Sequence, residues 1–140
     1  MFDTVKGWEF WGEGMIKESA LLDLVDQIYE AGCEPEKWPA VLELLRVHLS
    51  SQTTILANYD IDSYDLNFYE SVNQNTDYST SLLTHFVHLS PFTEPWKRTA
   101  KTGKVYRAEE SVPTTHLEKT EYYNDWLRPQ EIHHGGGLFL

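Results

Sequence analysis

Apolar positions early in the chain recur with a helical period. From Ser19 onward, Leu21, Val25, Ile28 and Gly32 stand at i, i+4, i+7 and i+11, with Leu22 and Tyr29 flanking the same face and Gly32 as a natural stop. A second helix is expected from Pro35, since proline is favoured in a first turn where its absent N–H costs nothing. Trp38, Val41, Leu42, Leu45 and Leu49 then form one stripe. Joined by Cys33-Glu34-Pro35, the two helices make a hairpin that must bury its stripes against something. The period then shortens. Residues Thr53 to Tyr59 read as a strand, opened by the β-branched Thr53, Thr54 and Ile55. After the turn residues Asp60-Ile61-Asp62-Ser63, the apolar Leu66, Phe68 and Val72 alternate with Asn67, Tyr69, Ser71 and Asn73. That alternation predicts a half-buried antiparallel partner strand, its apolar face interrupted by Glu70.

Helical spacing returns between Asp77 and Leu89, through Leu82, Leu83, Phe86 and Val87, and Pro91 ends it. Lys104 to Arg107 is expected as a short strand or an extended crossing. A further helix is expected from Leu117 to Leu127, with Thr120, Tyr123 and Leu127 on one face and Pro129 preventing continuation. Gly135 to Leu140 reads as an apolar strand with no polar tail after it, so its edge needs cover from a neighbour. Residues 1 to 17 contain Phe2, Trp8, Phe10 and Trp11 without a period and read as an N-terminal arm. The expected organisation is thus an arm (1–17) and one α+β domain (18–140).

With 140 residues, 41% of them hydrophobic and 14% aromatic, the chain has enough apolar surface for a core. Its 22 acidic residues against 11 basic ones give a net charge of −11, which repels a phosphate backbone. Direct contact with nucleic acid is therefore not expected. Cys33 stands alone, so no disulfide can form within the chain. The N-terminus carries Asp3, Glu9 and Glu13 with no apolar signal core, and no apolar run is long enough to span a bilayer. A cytoplasmic location and no membrane association are the expectations.

Several stretches resemble one family. Glu121-Tyr122-Tyr123-Asn124-Asp125-Trp126-Leu127-Arg128-Pro129-Gln130, followed by Ile132-His133-His134-Gly135-Gly136-Gly137, is similar to a segment of the N-terminal signal-sensing domain in a group of LuxR-type bacterial transcription regulators. The run from Leu24 to Ala31, leading through Pro35 to Trp38-Pro39-Ala40-Val41-Leu42, resembles the opening helical hairpin of that group. His85 to Phe92 resembles its His-Tyr-x-x-Leu-Asp-Pro-Trp segment, and Gly103-Lys104-Val105-Tyr106 with Val112-Pro113 resembles the stretch after that segment. The resemblance covers roughly Leu21 to Leu140.

It implies an autoinducer-binding-like sensor with a PAS- or GAF-like fold, an antiparallel sheet flanked by helices. Such a sheet has five or more strands, so the expectation is a domain truncated after the strand ending at Leu140, with no helix-turn-helix. The implied function is signal sensing in transcription regulation: binding a small organic ligand and controlling dimerisation, as a homodimer or as a heterodimer with a related regulator. The alternative is a ligand-free interaction subunit that pairs with a full-length regulator or with itself. In the acyl-homoserine-lactone receptors of the family, an Asp of the Asp-Pro pair binds the ligand amide, and upstream aromatics bind the acyl and lactone groups. Ser90 holds the Asp position here, while Asp77 and Ser81 fall at the aromatic ones. A neutral hydroxyl cannot make the charge-assisted bond of a carboxylate, so a different ligand is expected.

The aromatic set Trp38, Tyr59, Phe68, Phe86, Phe92, Trp96, Tyr106, Tyr123 and Trp126 reads either as a pocket wall or as a solid core. If it is a pocket, Tyr69, Phe86, Ser90, Phe92, Tyr106 and Tyr123 are the candidate ligand-binding residues, with Trp126 anchoring its helix. His134-Gly135-Gly136-Gly137 resembles an esterase oxyanion loop, but no Gly-x-Ser-x-Gly elbow accompanies it, and glycines for close backbone packing are the better reading. No enzyme activity, cofactor or metal is expected. His85 and His88 at i, i+3, and the adjacent His133 and His134, specify at most one edge of a ligand set each. One of each pair is instead expected to pack in the core. The acids Glu94, Glu109, Glu110, Glu118 and Glu121 read as a solvated face. Lys97, Arg98, Lys101, Lys104 and Arg107 read as a polar crossing loop or, less simply, as an anion site.

Overall fold

A computed structural model of the chain describes residues 16–140. The expected N-terminal arm lies almost wholly outside the described residues. Of these, 55% are helical and 17% are in strands, arranged as two small antiparallel sheets, which makes the protein mixed α+β. They fall into two compact units: one runs to Leu56 and includes Glu70–Asn73, and the other comprises Ala57–Tyr69 and Gln74–Leu140.

The first unit is built on α1 (Glu18–Cys33) and α2 (Trp38–His48), joined by a 3-10 turn at Pro35–Lys37. Pro35 opens that turn and Pro39 sits in the first turn of α2, both where an unpaired N–H would otherwise be left. Leu24, Ala31 and Val41 are buried together, with Trp38, Leu44 and Leu45 packed around them. The face of α1 differs from expectation. Leu21, Leu22, Val25, Ile28 and Tyr29 are all exposed, and the helix meets its neighbour through Leu24 and Ala31, with Ala20 and Gln27 half-buried. Apolar side chains cover more of the circumference of α1 than one partner helix can bury, and the small alanines permit closer approach. Leu49, expected on the α2 stripe, is likewise exposed.

The hairpin of β1 (Thr54–Tyr59) and β2 (Leu66–Val72) matches the strand expectation to within a residue at each end. At its open end the Thr53 hydroxyl donates to the Val72 carbonyl at 2.8 Å. At its turn the Asp60 carboxylate accepts the amides of Asp62 and Ser63, at 2.9 and 2.8 Å. These bonds hold the Asp60 carboxyl below its ordinary pKa. The alternation within β2 is blurred: Leu66 is exposed, and every residue from Phe68 to Val72 is half-buried.

In the second unit, α3 (Thr76–Ser81) begins at Asn75, whose side chain accepts the Asp77 amide at 2.9 Å. It runs without a break through a π-helical segment, Leu82–Phe86, into α4 (Val87–Leu89). Two helices were not legible in the pattern: α5 (Thr93–Thr99) and α6 (Ala108–Ser111). The expected helix from Leu117 to Leu127 is divided, with α7 (Thr114–Leu117) ending before a second π-helical segment at Tyr122–Leu127. Pro129 does not stop the chain there. It is accommodated in a 3-10 turn, Arg128–Gln130, and the run ends at Glu131 in a left-handed conformation (φ 59°).

β3 (Val105–Arg107) pairs antiparallel with β4 (Gly136–Leu138), with Tyr106 opposite Gly137. One edge of the glycine-rich strand is therefore covered within the chain. A Cβ on Gly136 would stand 2.9 Å from the Tyr106 carbonyl oxygen, too close for any side chain, so the glycine permits the close approach of the two backbones.

Candidate functional site

The core of the second unit is aromatic. Phe86 closes the first π-helical segment, Phe92 precedes α5, Trp96 lies on α5, and Tyr122 and Trp126 come from the second π-helical segment. Phe86, Phe92, Val112, Leu117, Tyr122 and Trp126 are buried as one cluster. Their rings touch in sequence. Phe92 stacks on Trp96 (centroids 5.3 Å apart) and meets Tyr122 edge-on at 6.1 Å. Tyr122 in turn lies 5.2 Å from Trp126 and 6.3 Å from Phe86. The series extends from Trp96 to Phe139 (5.5 Å) and from Phe139 to Tyr106 (5.6 Å). Such offset and edge-on pairs are each worth about 0.5–1.5 kcal/mol beyond their buried area.

Tyr122 carries the one ionisable hydroxyl among the rings of this buried cluster. Its own phenol is pushed well above the ordinary tyrosine range, chiefly by burial, with the hydroxyls of Tyr59 and Tyr69 adding to the rise and that of Ser90 opposing it. Tyr59 is raised as well, by burial first and by Tyr64 second. Tyr69 donates to the Gln74 side chain at 2.8 Å, and Gln74 donates onward to Gln130 at 3.2 Å. Nearby in sequence, Thr93 is 3% exposed and its hydroxyl has no hydrogen-bond partner. An unsatisfied buried hydroxyl costs about 1–3 kcal/mol, which makes it a group that a bound polar atom would relieve.

Of the candidates from sequence, Phe86 and Phe92 touch the Tyr122 ring, Ser90 accepts the Phe92 amide at 3.4 Å, and Tyr69 bonds to Gln74. Tyr106 is buried and joins the ring series only through Phe139, and its hydroxyl is committed to the Thr99 carbonyl at 2.6 Å. Tyr123 is half-buried, with its hydroxyl 3.4 Å from the His133 ring nitrogen. It packs against the cluster, and the neighbouring Tyr122 is buried within it. Trp38 packs in the first unit and has no part in this set. Trp126 anchors its segment as expected, 3% exposed and donating from Nε1 to the Tyr78 carbonyl at 2.9 Å. No repeat in the sequence selects Tyr122: α7 ends at Leu117 and the π-helical segment opens at Tyr122 after an intervening turn, so no helical period links the two.

The remaining constellations are surface features. All four paired histidines are exposed, contrary to the expectation of one core member in each pair. His85 meets Glu121 and His134 meets Glu109, each at 2.8 Å, while His88 lies edge-on to Tyr64. Carboxylate partners at the surface satisfy the rings without burial. Among the described residues no group of three or more His, Cys, Asp or Glu could hold a metal ion. Of the basic segment, Lys97 pairs with Asp62 at 2.8 Å and Lys104 lies over the Tyr106 ring. Lys97 and Arg98 belong to α5, so a helix replaces part of the expected loop. No helix among the described residues is long and apolar enough to cross a membrane. Comparison with protein-family models, curated proteins and solved structures found no match.

Proposed function

We propose that this chain is the signal-sensing domain of a LuxR-type transcription regulator, with a PAS- or GAF-like ancestry, and that it binds a small organic ligand around Tyr122. The observation that carries the reading is a wall of touching rings, Phe86, Phe92, Trp96, Tyr122 and Trp126, with the buried Thr93 hydroxyl close in sequence and without a hydrogen-bond partner. Apolar walls with a few aimed polar groups are what small-molecule sites are made of. The ligand in this reading is a planar or aromatic molecule that stacks against Phe92 and Trp96 and shares hydrogen bonds with Ser90 and the Thr93 hydroxyl. The resemblance in sequence supplies the regulatory context. A ligand preferring one packing of the aromatic cluster shifts the population toward it, and only that difference in affinity can change dimerisation.

Native mass spectrometry of the purified chain, followed by a thermal-shift screen of aromatic small molecules, tests this. The expected result is a bound organic mass, or a stabilising compound whose affinity falls by roughly tenfold in Ser90→Ala, about the loss of one good hydrogen bond. An empty chain that no compound stabilises overturns the ligand reading. It would leave the second reading, an interaction subunit without ligand, which the exposed apolar face of α1 favours.

A further inference from the structure

The face of α1 that fails to meet α2 is continuous. Leu21, Val25 and Ile28 follow one another at helical spacing, with Leu22 and Tyr29 beside them, and their exposures run from 38% to 75%. Single exposed leucines need no explanation, whereas a row of large apolar side chains spanning about 12 Å of helix marks a contact surface. One border of this row is acidic: Asp23, Asp26 and Glu30 recur at i, i+3 and i+7, and Asp26 stands next to both Leu22 and Tyr29 on the helix surface. The helix from Glu18 to Cys33 contains no lysine or arginine. Glu30 is held by Lys37 at 3.0 Å, but Asp23 and Asp26 have no ionic partner among the described residues.

Charge chooses among the occupants of such a face. An antiparallel pair of identical α1 helices related by a two-fold axis would lay the acidic row of one copy along the same row of the other. Each copy also carries a net charge of −11. An anionic membrane surface is disfavoured for the same reason. A helix with an apolar stripe and a basic flank has neither problem, and helix-on-helix recognition through i, i+3, i+4 and i+7 anchors is a common mode.

We propose that the Leu21–Tyr29 face of α1 is a docking surface for a basic amphipathic helix of another protein. Its apolar stripe covers Leu22, Val25 and Ile28, and its Lys or Arg flank lies along Asp23 and Asp26. This inference is independent of the ligand reading, since it uses only the first unit.

The test uses the full chain and two synthetic helical peptides that share one leucine stripe, one flanked by lysines and the other by glutamates, with binding followed by fluorescence anisotropy. The lysine peptide is expected to bind and the glutamate peptide not. Leu22→Ser with Val25→Ser should weaken binding by roughly tenfold or more, as loss of central anchors does. Asp23→Lys with Asp26→Lys should reverse the preference between peptides. Glu118→Lys with Asp125→Lys, equal in charge change but in the other unit, should leave affinity within about twofold, as an exposed change away from the contact does. The proposal falls if the serine variant binds as well as the parent, since attraction to overall negative charge would then suffice. It falls equally if the peptide binds only after residues 1–15 are deleted, or if the chain is a dimer that Val25→Asp converts to monomer while no peptide binds.

Discussion

The two units use their apolar residues in opposite ways. In the first, a pair of helices buries a small aliphatic set, Leu24, Ala31 and Val41, and leaves the richer face of α1 in solvent. In the second, aromatic rings from widely separated segments are drawn into one cluster that includes a tyrosine, and a threonine hydroxyl of the same unit is buried as well. Hydrophobicity alone does not say which side of a helix is buried. Fit decides: alanines admit a neighbouring helix, and a π-helical turn brings residues four and five apart onto one side.

The contrast predicts a graded set of stability changes under chemical denaturation. Trp126→Ala should have the largest effect, about 3–5 kcal/mol, because it empties the middle of the ring cluster and removes the Nε1 bond to the Tyr78 carbonyl. An unchanged midpoint would mean that the cluster is not the core of its unit. Within α1, Leu24→Ala should cost about 2–5 kcal/mol. Its sequence neighbour Leu22→Ala should stay within about 0.5 kcal/mol. Equal losses at the two positions would show that the outer face is covered. Gly136→Ala should cost about 1–3 kcal/mol, since the methyl group must push β4 off the Tyr106 carbonyl.

The smallest effect concerns pH. The folded-state pKa of Tyr122 is raised, so its contribution to stability is complete below the ordinary phenol value of about 10 and is lost as pH rises through the folded value. Stability should therefore decline above about pH 10. The decline should be shallower in Tyr122→Phe, which has no phenol to ionise. Parallel slopes for the two proteins, measured by urea denaturation across that range, would mean that Tyr122 titrates like an exposed tyrosine.

Much of the secondary structure was legible because local pattern and tertiary outcome agree. The hairpin from Thr54 to Val72 and the two opening helices follow from β-branched residues, turn residues and helical spacing, while Lys104 to Arg107, open between a strand and an extended crossing, contains the strand β3. The short helices α5 and α6 were not, because four to seven residues rich in charge display no period. The π-helical segments were missed because every reading by a 3.6-residue repeat assumes there are none. That assumption also passed over Tyr122, which is buried in the cluster, while Tyr123, which it did select, packs against it half-buried. Phe86 and Phe92 could be singled out in advance from their aromatic character, but their meeting with Tyr122 depends on separate segments coming together, which sequence spacing does not encode.

The second π-helical segment has a consequence for how the chain could respond to anything bound beside it. A π turn holds one residue more than an α turn, so the segment from Tyr122 to Leu127 stores a surplus of one residue. Releasing that surplus would rotate the downstream residues by about a quarter-turn or slightly more, the angle between successive residues on a helix. Both tyrosines of the segment already touch the rings, Tyr122 from within the cluster and Tyr123 half-buried against it, so such a rotation would redistribute the two hydroxyls between core and surface.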